Sequence, residues 1–143
     1  NDKDLTFRMS IIGPDMQENG VGLFNWFMTQ KGQIFGYTKA VWNGITTIEL
    51  AKAIESAIVQ DLTGLYQLVP NENITKLELL QLFKKVFNKD DVQIQGKNDV
   101  VADKTLLNTR KDFDYLVPDY ETMISEMKEW IINHKELYGR YKV

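Results

Sequence analysis

The sequence of 143 residues contains no cysteine, a single histidine and only three prolines. Without thiols there is no disulfide scaffold and no thiolate metal site, and one imidazole is too few nitrogen ligands for an ordinary zinc centre. The lack of cysteine also suits a reducing cytoplasm, the compartment expected for this chain. No apolar run approaches the ~20 residues that a membrane-spanning helix needs, and no basic-then-apolar leader opens the sequence. An excess of positive charge is missing too. Seventeen Lys plus Arg stand against 20 Asp plus Glu, a net charge of -3, which removes the electrostatic footprint of non-specific nucleic-acid binding. The expectation is a soluble protein that works without nucleic acid and without a membrane.

What is present is enough apolar material for a core: 43% of residues are hydrophobic and 11% aromatic. At this length roughly two-thirds of the unfolded surface can be buried, so residues 1–143 are read as a single domain or a fragment of something larger. Position 1 is Asn1 and not a methionine, which predicts that the sequence begins inside a longer reading frame.

Residues 5–12 are rich in β-formers and stop at Gly13-Pro14, a strand followed by a loop. Apolar residues at helical spacing from Val21 to Gln30, closed by Gly32, predict a short buried helix. Gln33–Tyr37 and Lys39–Trp42 are short strand candidates that end at the Asn43-Gly44 turn. Thr46 with Glu49, and Thr75 with Glu78, have the spacing of capping boxes. The first predicts a helix to about Gln60, with Ile48, Ala51, Ile54 or Glu55, and Ile58 recurring at period 3.6. The second predicts a helix with Leu79, Leu80, Phe83, Val86 and Phe87 on one stripe, ended by Asn88. Leu65–Val69 and Val92–Gln95 read as strands and residues 96–117 as irregular. A last helix is expected over 119–138, with Met123, Ile124, Met127, Trp130, Ile131 and His134 buried. The order is that of a mixed α/β or α+β fold, with one awkwardness: the opening apolar strand has no evident partner.

Motifs for self-contained chemistry fail on inspection. Gly20-Val21-Gly22 carries two glycines of a dinucleotide loop, but Asn25 stands where the third belongs. A calcium loop about Gly96 lacks its bidentate acid, because position 102 is Ala102. Tyr138 and Lys142 have the spacing of a reductase pair with Ser125 upstream. On one helix, however, thirteen residues separate Ser125 and Tyr138 by ~20 Å, too far to share a carbonyl oxygen. His134 has no acid-base setting and reads as a packed or dipole-stabilising residue. None of the serines has a nucleophile elbow.

A resemblance enters with Arg8-Met9-Ser10-Ile11-Ile12-Gly13-Pro14. This stretch resembles the strand and Gly-Pro loop that lead into the substrate lobe of extended short-chain dehydrogenases, most of all reductases of the dTDP-4-dehydrorhamnose reductase type. Later pieces follow in the family's order: Gly22–Phe27, Gly36-Tyr37, Asn43-Gly44-Ile45-Thr46-Thr47 with Glu49-Leu50-Ala51, Leu106–Arg110, and Val117-Pro118-Asp119-Tyr120. The resemblance covers nearly the whole chain. It departs at Ile45, where a proline is common, and Gly13-Pro14 is closer to the wider epimerase group.

What the resemblance implies is an α/β substrate lobe of an extended Rossmann-type enzyme whose cofactor lobe lies upstream of this sequence. Residues 1–14 would be a strand and exit loop of that missing lobe. The parent enzyme would use NAD(P)H, bound mainly by residues not in this chain, to reduce a keto group on a nucleotide-linked deoxysugar. The partners implied are a nucleotide-diphospho-sugar, the N-terminal cofactor lobe, and a second copy through oligomerisation or segment swapping. A fragment of an epimerase, or a non-catalytic module that keeps the lobe's shape to bind a partner, are the alternatives. No catalytic residue is assigned. For binding, Lys39, Lys104 and Arg110 are candidates for phosphate oxygens, Tyr37 and Trp42 for the base, and Asn25, Asn43 and Thr46 for polar groups.

Overall fold

The computed structural model of the chain describes residues 2–143. The opening β-rich stretch is not one strand. It divides at Met9-Ser10 into β1 (Leu5–Arg8) and β2 (Ile11–Ile12). After helix α1 (Leu23–Thr29) comes a long strand β3 (Gly32–Trp42), then β4 (Ile45–Thr46), helix α2 (Thr47–Val59) and β5 (Gly64–Gln67). The second half holds β6 (Ile74–Thr75), α3 (Lys76–Phe87), β7 (Val92–Lys104), α4 (Tyr120–Asn133) and the short α5 (Lys135–Tyr138).

The strand expected to lack a partner has one. β1 pairs in parallel with β5, Leu5 opposite Gly64 and Arg8 opposite Gln67, and β2 pairs in parallel with β4. Parallel pairing needs a crossover of a dozen or more residues, so adjacent sequence gives no hint of it. The third sheet has the order β6-β3-β7, with β6 antiparallel and β7 parallel to β3. The two short strands expected over 33–42 are one strand, with a register irregularity between Tyr37 and Lys39. β7 runs nine residues beyond the expected end at Gln95. Much of β7 is exposed, so the sequence never shows the alternation that marks a half-buried strand.

The helices form where their caps say. Thr75 accepts from Glu78 N–H while the Glu78 carboxylate accepts from Thr75 N–H, a complete capping box. Asn88 closes α3 in the left-handed conformation, at φ 51°. The box at Thr46 is half formed: Thr46 accepts from Glu49 N–H, but the Glu49 carboxylate turns inward to Tyr115. The buried face of α2 therefore differs from the expected stripe. Glu49, Ala53 and Ala57 point inward, while Ile54 and Ile58 stay 43% and 70% exposed.

The core joins Phe24 and Phe27 of α1 to Leu79, Leu80, Phe83 and Phe87 of α3 and to Met123, Ile124, Met127 and Ile131 of α4. Phe24 sits 5.4 Å from Phe83 and 4.9 Å from Phe87, centroid to centroid. The last helix breaks at His134, whose ring stacks 3.8 Å from that of Trp130; Trp130 is 42% exposed and not in the core. Among the described residues no helix is long and apolar enough to cross a membrane.

Candidate functional site

β3 is bonded to β7 along its length, but on its other edge it meets β6 only at Val41 and Trp42. Among the described residues, the backbone groups of residues 33–37 that face this edge have no strand partner, and a row of free donors and acceptors is a template for binding. α1 and α3 rise on either side of the edge. Between them lies a cleft of about 500 Å³, lined by Leu23, Trp26 and Gln30 of α1, residues 33–37 of β3, and Lys76 and Leu80 of α3. α3 packs close on β3 because Gly36 has no side chain; a Cβ there would lie 2.7 Å from the Cα of Leu77. Trp26, Phe35 and Tyr37 are all partly exposed, and all three line the cleft.

Lys76 is the first residue of α3. Its Nζ lies 5.6 Å from the centre of the Trp42 ring, a cation–π contact that orients the ammonium. Burial, and next the charge of Lys104, hold its pKa below the usual lysine range. Lys104 ends β7, in register with Trp42. Trp42 is buried at 4% exposure, packed 6.0 Å from the ring of Tyr120, so it supports the lysine from below and does not line the cleft.

Beyond Trp42 a smaller polar pocket of about 290 Å³ is lined by Asn43, Asn71, Asn73, Thr105 and Asn108 with neighbouring apolar residues. Asn43 is buried and gives both ends of its amide to the backbone of Leu106. Asn108 donates to the Tyr66 hydroxyl at 2.7 Å and accepts from Arg110 N–H at 3.0 Å. The pocket thus presents amides and a hydroxyl with no ionised group, a lining that suits a neutral polyhydroxy ligand.

The other sequence-predicted site residues lie apart from both pockets or inside the fold. Asn25 is buried, donates to Val21 C=O, and accepts from Arg140 Nη2 at 2.7 Å and from the Tyr141 hydroxyl. Thr46 is 1% exposed and caps α2. Lys39 is exposed on β3 opposite Val101. The Arg110 guanidinium is engaged with the Asp112 carboxylate and with the carbonyls of Thr63 and Leu65. Of the eight residues, Tyr37 lines the aromatic cleft and Asn43 the polar pocket.

Sequence reasoning missed Trp26 and Lys76. Trp26 reads as core because its neighbours Phe24 and Phe27 are core. Lys76 did carry a signal: a cation in the first turn of a helix opposes the helix dipole and asks for another reason to be there.

No protein-family model and no curated protein matches the sequence. Comparison with solved structures does find likenesses. A dTDP-4-dehydrorhamnose reductase from Bacillus anthracis, in complex with NADP, superposes with a TM-score of 0.65 at 11% identity, over 90% of this chain and 49% of that one. The chain has the fold of part of such an enzyme. A dTDP-glucose 4,6-dehydratase from Bacillus anthracis, in complex with NAD, gives 0.62 at 16% identity over 96% of this chain and 47% of its own. A UDP-N-acetylglucosamine 4-epimerase from Methanobrevibacter ruminantium, in complex with UDP-N-acetylmuramic acid, gives 0.61 at 19% identity over 90% and 45%. The mixed α/β fold is therefore that of sugar-nucleotide reductases, dehydratases and epimerases, and the chain spans about half the length of these solved structures.

Proposed function

We propose that this chain is the sugar-nucleotide-binding part of an NAD(P)-dependent enzyme acting on nucleotide-linked sugars, with reduction of a keto-deoxysugar as the favoured reaction. The observation that carries this reading is the order of surfaces along β3. An aromatic cleft with free backbone edges lies at residues 33–37, a pair of lysines beside Trp42, and an amide-lined pocket at Asn43. From Tyr37 to Asn43 is six residues of strand, about 20 Å at ~3.3 Å each, the scale of a nucleotide-diphospho-sugar. A base has π-faces to lie on Trp26, Phe35 or Tyr37 and polar edges to meet the strand backbone. A sugar has hydroxyls to meet Asn71, Asn73 and Thr105.

Hydride transfer would belong to a nicotinamide-binding lobe outside this chain, whose cofactor supplies the reducing equivalent. The residues here would bind and orient the substrate's carrier group. Of the candidates, Tyr37 and Lys104 would touch ligand, Asn43 would hold a wall of the polar pocket and Trp42 would support Lys76, whereas Asn25, Thr46 and Arg110 would serve the fold away from both pockets. The exposed Ile54 and Ile58 on α2 and Leu65 on β5 would be covered by the cofactor lobe or by a second copy.

The test is calorimetric titration of the chain with dTDP- and UDP-sugars beside NADPH. Nucleotide-sugar binding with little NADPH binding is expected. NADPH binding without any nucleotide-sugar binding would reverse the assignment.

A further inference from the structure

Among the described residues, ion pairs occupy Lys52, Lys85, Lys89, Lys97 and Arg110, but Lys76 and Lys104 meet no carboxylate. The acids nearest to them in sequence are engaged elsewhere. Glu78 accepts from the backbone and hydroxyl of Thr75, and Asp103 accepts from the backbone and hydroxyl of Thr105. The Lys76 ammonium is partly desolvated over Trp42, Lys104 stands in register with Trp42 and its charge opposes that of Lys76, and among the described residues no carboxylate pairs with either. Such a pair costs stability unless something anionic completes it.

Its position says what that anion is attached to. Lys76 is fixed over Trp42 and lines the aromatic cleft, while Lys104 precedes Thr105 of the amide pocket. The end of α3 is not itself the anion seat, because the Glu78 carboxylate already fills it. Arg110, the guanidinium that the resemblance favours for phosphate, is committed to Asp112 and to two carbonyls.

We propose that Lys76, with Lys104 in support, seats the phosphate groups of the nucleotide ligand, and that Arg110 does not. This rests on the reading of the cleft as a nucleotide site. Lys76 would discriminate a nucleoside diphosphate from a nucleoside, and the Trp42 ring beneath it would set where the first phosphate lies.

Calorimetry with dTDP, thymidine and inorganic pyrophosphate on the wild-type chain and on Lys76→Gln, Lys76→Arg, Lys104→Gln and Arg110→Gln tests it. A lost charge-assisted contact predicts a dTDP affinity about 10- to 100-fold lower in Lys76→Gln, largely restored in Lys76→Arg. Thymidine binding should be unchanged in all four. Lys104→Gln should lose less than Lys76→Gln, and the salt dependence of dTDP binding should flatten in both. Thermal unfolding of each variant separates lost contacts from lost structure. Equal dTDP affinity in wild type and Lys76→Gln, or a larger loss in a folded Arg110→Gln, overturns the proposal. Failure of both dTDP and thymidine to bind the wild-type chain overturns the cleft reading itself, and the phosphate seat with it.

Discussion

Asn43 and Leu106 exchange two hydrogen bonds across 63 residues of sequence, Nδ2 to the carbonyl at 2.7 Å and the backbone N–H to Oδ1 at 2.9 Å. The side-chain amide acts as a piece of strand, giving an irregular segment the pairing that it would otherwise take from water. It also fixes one wall of the polar pocket to the end of β3. Asn43→Ala leaves a buried donor and acceptor of Leu106 without partners. Chemical denaturation should show a loss of about 2 kcal/mol, with amide exchange accelerated first at 105–110. Asn43→Asp, which buries a charge and sets a carboxylate oxygen against the Leu106 carbonyl, should lose at least as much.

Glu49 and Tyr115 give a pH signature. Glu49 is 1% exposed, and among the described residues one of its carboxyl oxygens has no hydrogen-bond partner. Burial raises its pKa above the usual 4.5, against the opposing help of the Tyr115 hydroxyl and Lys52. The folded state then holds this proton more tightly than the unfolded chain does. The cost of the buried charge is absent below pH ~4.5 and grows as pH rises towards the folded pKa, above which it is constant. Glu49→Gln removes the titration. The difference in unfolding free energy between Glu49→Gln and wild type should therefore move in the variant's favour as pH rises from 4.5, and then level off. Tyr115→Phe removes the one hydroxyl donor to the charge and should cost about 1–3 kcal/mol at neutral pH. A pH-independent difference for Glu49→Gln would contradict the assignment.

The aromatic wall predicts a binding loss in a chain that stays folded. Trp26 is 42% exposed, so Trp26→Ala also removes packing worth about 1–3 kcal/mol of unfolding free energy, and base stacking on its ring is worth about 1–3 kcal/mol of affinity. Titration with dTDP should show an affinity lower by roughly 10- to 100-fold. Tyr37→Ala should act in the same direction.

The outer face of α2 predicts association. Ile54 and Ile58 lie one turn apart and exposed, Val59 is 79% exposed, and β1 is paired on one side only among the described residues. Sedimentation velocity at high concentration should show self-association that Ile54→Lys with Ile58→Lys abolishes. A wild-type chain that stays monomeric would mean that this face is tolerated in water.

Much of this architecture was legible where short-range chemistry decides. Thr75 with Glu78, Asn88 and the Leu79–Phe87 stripe specify α3 on their own, and the Asn43-Gly44 turn ends β3 as expected. What was not legible depends on distant partners. β1 finds β5 across a crossover of more than fifty residues, and β7 is a strand because β3 lies beside it, not because its own pattern says so. Glu49 has the spacing of half a cap, but Tyr115, distant in sequence, takes its carboxylate. In the site, residue type predicted the chemistry better than the position. Tyr37, a base-site candidate in sequence, lies in the cleft, but Arg110 resembles a phosphate ligand in sequence and is held by Asp112 in space. Only the fold reveals that Lys76 sits over Trp42 at the cleft, with no carboxylate paired to it among the described residues.

The free edge of β3 offers the most direct test of the nucleotide cleft. Residue-resolved amide exchange should be measured on the chain with and without dTDP. The account predicts that edge-facing amides within Gln33–Tyr37 exchange freely in the unliganded chain and slow on addition of dTDP, in step with quenching of Trp26 fluorescence. Protection that appears elsewhere while residues 33–37 stay unchanged would contradict it.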